Sequence, residues 1–127
     1  MDTSEQYIKM CDCPEIQDRK IRNLYMKTFH TGDTRFYIAN WDGGDIYFSR
    51  TYPQRNPQSD IWLPRQDQLQ EKVWDKEEED LAGILNHLAD FYYSNTYTGD
   101  LGSIEQLWLA FVMWNLYQKR WEDNKWT

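Results

Sequence analysis

Apolar residues recur along this chain with two periods, and the change of period divides it into a first half of mixed character and a helical second half. Residues 4–10 predict a short helix or turn, broken at Cys13-Pro14. Pro14 suits a first helical position, with Asp12 or Cys13 as the cap. Ile16, Ile21, Leu24 and Tyr25 then form a helical stripe that ends before Thr31-Gly32-Asp33. Strand character follows in residues 34–40, which carry Phe36, Tyr37 and Ile38, and in residues 45–52, which carry Ile46, Tyr47 and Phe48. Between them stands Trp41-Asp42-Gly43-Gly44, whose Asp-Gly pair is a strong hairpin signal. Residues 53–60 are polar, hold two prolines and read as a loop. Ile61-Trp62-Leu63 supplies a third strand, stopped by Pro64. A lone hairpin is marginal in water, so this sheet needs its third strand and helices on one face.

Beyond Pro64, itself suited to a helical first turn, the period becomes helical, with Leu69 and Val73 on one face. A further helix is expected to begin near Lys76. Its residues Leu81, Ile84, Leu85, Leu88 and Tyr92 follow the i, i+3, i+4, i+7 pattern. The acidic run Glu77-Glu78-Glu79-Asp80 would then occupy its first turn, where negative charge suits the positive helix end. A loop over residues 94–102 leads to Ser103 and Gln106, which match a capping box opening a last helix through about Lys119. Leu107, Trp108, Leu109, Phe111, Val112, Met113 and Trp114 cover almost every side of that helix. Such a helix is central in a core or lies partly at an interface. The expected fold is α+β: one domain over residues 1–127, with a small antiparallel sheet (hairpin plus third strand) packed against three or four helices.

Composition supports a real core. Aromatics are 17% of the 127 residues, with 7 Trp and 9 Tyr, so the mean hydropathy of -0.90 does not mark a disordered chain. The 21 acidic against 14 basic residues leave a net charge of -7, which repels phosphate backbones, so direct nucleic-acid binding is not expected. Solubility accounts for that charge; a sharper reading is an acidic face that imitates DNA or docks on a basic partner. The longest apolar run, residues 107–114, falls short of the roughly 20 residues of a membrane span, so no membrane partner is expected. No basic stretch followed by an apolar one opens the chain, and Cys11 and Cys13 stand too close for a stabilising disulfide. A cytoplasmic protein with reduced thiols is the expectation.

Candidate chemistry is sparse. The chain has no GxSxG elbow, phosphate-binding glycine loop, HExxH or dinucleotide fingerprint, which leans away from an enzyme and names no catalytic residue or cofactor. Cys11 and Cys13 have an unusual spacing for zinc, and only His30 and His87 stand ready to complete four ligands, so a buried or capping role is expected and no metal. His87 falls off the apolar stripe, at the surface or its boundary. The junction Arg65-Gln66-Asp67-Gln68 is richer. A strand-to-helix junction exposes backbone N–H groups and can hold an anion, with Arg65 as a forked donor and Trp62 or Trp41 as a stacking ring. The plain alternative is a solvated helix start. Trp121 and Trp126 in the tail are equally at home in a binding hot spot or a core. The candidate ligand- or partner-binding residues are therefore Trp62, Arg65, Gln66, Asp67 and Trp121.

Three blocks, CDCPEIQ at residues 11–17, WLPRQDQLQ at 62–70 and SIEQLWLAFVM at 103–113, together resemble a group of small uncharacterised proteins encoded in bacteriophages and prophages. The hairpin lies outside the resemblance. It implies a phage or prophage context in a bacterial host and brings no activity, cofactor or catalytic residue with it. The leading expectation is a non-enzymatic accessory factor that binds a host or phage protein, with self-association through the last helix and Trp121 or Trp126. The alternative is a small-ligand or nucleotide-binding domain with its anion site at the Trp62–Gln68 junction. A hydrolase or metal enzyme using Cys11, Cys13 and a histidine is the third reading.

Overall fold

The computed structural model describes residues 1–17, 36–40, 46–49, 60–94 and 101–127. Among them the chain runs α1 (Glu5–Cys11), α2 (Pro14–Gln17), β1 (Phe36–Asn40), β2 (Ile46–Ser49), β3 (Asp60–Leu63), α3 (Gln66–Val73), α4 (Leu81–Ser94), α5 (Ile104–Tyr117), β4 (Trp121–Glu122) and β5 (Lys125–Trp126). Helices and antiparallel strands are segregated, as an α+β fold requires. The chain divides into two compact units, Thr3–Arg65 and Met1–Asp2 with Gln66–Thr127.

In the first unit the three expected strands form one antiparallel sheet of order β2-β1-β3. Phe36 stands opposite Ser49 and Ile38 opposite Tyr47 on one side of β1, and Ile38 opposite Trp62 on the other. The third strand thus adds beside the first, leaving β1 central. The Asp42-Gly43 turn and the helical stripe from Ile21 to Tyr25 lie outside the described residues. Helix α1 starts where the Ser4 hydroxyl accepts the Tyr7 N–H at 3.2 Å, ordinary N-cap chemistry. Its buried residues are Tyr7, Met10 and Cys11. Cys13 caps α2, its carbonyl accepting the N–H groups of Ile16 and Gln17. Both helices lie against β3, so two of the expected helices of the sheet layer are in place.

In the second unit two boundaries differ from expectation. Pro64 ends the strand segment, and α3 starts two residues later, at Gln66. Helix α4 begins at Leu81, so the acidic run precedes it instead of forming its first turn. The reason is side-chain chemistry. An Asp80 carboxylate oxygen accepts the Gly83 N–H at 2.8 Å, the bond of a capping residue. Asp75 accepts the Glu77 N–H at 3.0 Å, and the Trp74 indole donates to the Glu79 carbonyl at 3.1 Å, closing a turn ahead of the helix.

Helix α5 is the apolar centre of this unit, packed against both α3 and α4. Trp108, Leu109, Ala110, Phe111, Val112 and Met113 are all buried. Phe91 of α4 meets Phe111 at 5.4 Å between ring centroids, and Trp108 meets Phe111 at 6.0 Å. Half of the expected capping box is present: the Ser103 hydroxyl accepts the Gln106 N–H at 3.1 Å. The Gln106 amide reaches past the cap, accepting from Gly102 N–H at 2.7 Å and donating to Asp2 at 2.8 Å. The helix stops at Gln118, which is left-handed at φ 53°. The tail holds a hairpin that the sequence reading did not contain. Asp123 and Asn124 sit at φ 49° and 61°, the two-residue left-handed turn that matches strand twist.

Candidate interaction surface

Residues 11–17 and 62–65 meet through the side chain of Gln17 and the backbone of Trp62. Strand β3 pairs with β1 along one side, and Trp62, opposite Ile38, turns its own N–H and carbonyl toward the other. An unpaired strand edge invites aggregation. Gln17 covers it. Its side-chain oxygen accepts the Trp62 N–H at 3.0 Å, and its amide nitrogen donates to the carbonyls of Trp62 and Cys11, both at 2.9 Å. The Tyr7 hydroxyl donates to the Pro64 carbonyl at 2.6 Å. One side-chain amide thereby does the work of a fourth strand.

The candidate residues differ in their surroundings. Trp62 is 1% exposed, so its ring belongs to the core and offers no platform for stacking. Arg65, half-buried, lies just beyond it in the same unit. Gln66 and Asp67 are exposed in the first turn of α3, in the other unit. There the Asp67 carboxylate itself supplies the negative charge that a helix start favours, which works against a second anion. Trp121 is buried, its ring 5.1 Å from that of Trp126.

The cysteines have the buried and capping character expected of them. Cys11 and Cys13 are free and buried. Burial pushes the Cys13 thiol up to about 12, with the Glu15 and Asp12 carboxylates adding to it against a hydrogen bond from the Ile16 backbone. A thiol so placed stays protonated near neutrality and is a poor nucleophile. His87 is exposed as expected and pairs through Nδ1 with Glu79 at 3.0 Å. His30 and Trp41 lie outside the described residues.

What the surface does present is apolar. The expected stripe on α4 splits into two faces. Ile84 and Leu88 are buried, joined by Phe91, whereas Leu81 is 55% exposed, Leu85 47% and Tyr92 37%, with Tyr93 at 78%. At about 100° per residue, the apolar side chains of α4 cover roughly 200° of arc, about twice the stripe a surface helix needs to join a core. That width was readable in the sequence; which part of it faces water was not. Glu77, Glu78, Asp80 and Asp90 are exposed as well, but Asp80 turns toward Gly83 and Glu79 toward His87, and Asp90 falls about 160° round the helix from Leu81, Leu85 and Tyr92. Helix α4 carries no Lys or Arg. Lys76, five residues before the helix, pairs with Glu71 at 2.9 Å and lies over the Trp74 ring. A shallow, open depression is lined by Lys76, Glu77, Glu78, Glu79 and Asp80. Ile104, Trp114 and Leu116 of α5 are exposed apolar side chains as well.

No protein-family model matches the chain, and no curated protein or solved structure is significantly similar to it. Among the described residues no helix is long and apolar enough to cross a membrane.

Proposed function

We propose that this protein is a non-enzymatic protein-interaction module, an accessory factor of phage or prophage context that binds a host or phage protein in the bacterial cytoplasm. The observation that supports this reading is the exposed apolar arc of α4, Leu81, Leu85, Tyr92 and Tyr93. Apolar area gains roughly 25 cal/mol per Å² when it leaves water, and contiguous patches of it mark interaction sites. The competing readings have less support. The Trp62 ring is buried, which leaves stacking at the Trp62–Gln68 junction to Trp41, and the Cys13 thiol stays protonated near neutrality. Self-association through the last helix would rest on Trp114, Leu116 and the half-buried Trp126, since Trp121 is covered.

Affinity capture from bacterial lysate, run in parallel with wild type and Leu85→Glu, tests the proposal. A protein retained by the wild type at stoichiometric level and lost by the variant supports it. Equal capture, or none over a range of salt, overturns it.

A further inference from the structure

We propose that the exposed face of α4 pairs with the same face of a second copy of this chain, the two helices lying antiparallel about a two-fold axis. The proposal goes beyond the interaction-module reading, because it needs no other protein. Ala82, Leu85, Ala89 and Tyr92 are all exposed and are spaced three, four and three residues apart. At about 100° per residue they form a strip roughly 80° wide, with the spacing of a seam between paired helices. Leu81 and Tyr93, also exposed, flank it on either side. The Tyr92 and Tyr93 rings hold each other edge to face at 5.6 Å. Neither the strip nor its flanks contain a charged residue. Asp90 stands about 120° round the helix from the middle of the strip.

The order of sizes along the strip selects both the occupant and its direction. A two-fold interface is self-complementary, so if one residue faces another across it, the reverse contact exists too. Centred on position 87, an antiparallel pair sets Ala82 against Tyr92 and Leu85 against Ala89, with Leu81 against Tyr93 at the margin. Each large side chain of the strip meets a small one, and the helices can approach toward the near end of the roughly 8–10 Å range. A parallel pair sets Tyr92 on Tyr92 and Ala82 on Ala82, a bulge followed by a gap, which close packing disfavours. Charge agrees with the packing. In the antiparallel pair the two Asp80 residues lie about 21 Å apart along the axis at 1.5 Å per residue. That exceeds two Debye lengths in salt of about 0.15 M, whereas a parallel pair would bring the acidic turns together. The uncharged strip therefore lets two copies touch although each has a net charge of -7. Three turns of paired helix bury less than the roughly 1,200 Å² of a stable interface, so the dimer exchanges, with a Kd on the order of tens of micromolar.

Sedimentation of the purified full-length protein, from about tenfold below to about tenfold above that Kd, tests this. A reversible monomer–dimer equilibrium is expected. Leu85→Glu should weaken it about tenfold or more. Ala89→Leu sets leucine against leucine and should also weaken it about tenfold, although it adds apolar area. Circular dichroism and an unchanged Tm below the Kd confirm that these variants, all at exposed positions, remain folded. Direction is read by disulfide trapping. Ala82→Cys and Tyr92→Cys proteins, mixed and oxidised, should give the mixed disulfide, since the two copies of position 82 lie about 15 Å apart along the pair. A monomer at the highest concentration overturns the proposal. So does a dimer that Leu85→Glu leaves intact, or one that Ala89→Leu strengthens, as general apolar adhesion would. Self-linking of Ala82→Cys overturns the antiparallel arrangement. A monomer that captures a lysate protein through Leu85 sinks this proposal alone, and a dimer that captures none sinks the module reading alone.

Discussion

Helices α4 and α5 have 14 residues each and pack on one another, yet they treat apolar side chains in opposite ways. Helix α5 is apolar nearly all round and buries six consecutive residues, from Trp108 to Met113. Helix α4 buries only Ile84, Leu88 and Phe91 and leaves equally large groups in water. The difference lies in the neighbours. Helix α5 sits against both α3 and α4, which cover the stretch from Trp108 to Met113; the contacts of α4 fall mainly on α5. A wide apolar arc is thus core in one helix and exposed surface in the other.

The comparison breaks most readily at the centre of α5. Trp108→Ala should cost about 3–5 kcal/mol in urea denaturation, enough to threaten folding of a domain this small. A loss under 1 kcal/mol would mean that α5 is not the core. A polar contact in the first unit supplies an intermediate standard: Gln17→Ala strips the Trp62 N–H and carbonyl of their side-chain partner and should cost about 1–3 kcal/mol, with increased aggregation from the uncovered β3 edge. The caps come next. Ser103→Ala should cost about 1–2 kcal/mol, since the hydroxyl holds both the Gln106 N–H and Asp2, and Asp80→Ala about 1 kcal/mol at the exposed start of α4. Leu85→Ala should stay within about 0.5 kcal/mol of wild type in the same assay. A cost like that of Trp108 would show the arc of α4 to be covered. The smallest effect has the opposite sign. Gln118→Gly relieves a left-handed residue at the end of α5 and should raise stability by up to about 1 kcal/mol.

Much of the secondary structure was legible because its causes are local. Ser103 and Gln106 announce a helix start three residues apart, and the run Ile61-Trp62-Leu63 before Pro64 announces a strand. The start of α4 misled because an acidic run suits both a first turn and the turn before one, and only the bond from Gly83 to Asp80 decides. The tail hairpin had a signal in Asp123-Asn124, both tolerant of left-handed backbone, but strands of two residues carry no period to read. The candidate site was the least legible part. Trp62 next to Arg65 looks the same in sequence whether its ring stacks on a ligand or fills a core. Gln17, which ties its amide to a residue 45 positions later, carries no local mark of that task.

By itself, then, the sequence determined an α+β chain with a three-stranded sheet, a capped last helix apolar on almost every side, and a protein poor in catalytic motifs. Those properties follow from dihedral preference, capping and periodicity, whose energies act over three or four residues. The tertiary structure alone decided that β3 joins β1, that Gln17 shields its edge, that Trp62 and Trp121 turn inward, and that Leu81, Leu85 and Tyr92 remain outside. Burial depends on which distant element arrives at a face, and no local pattern encodes that arrival.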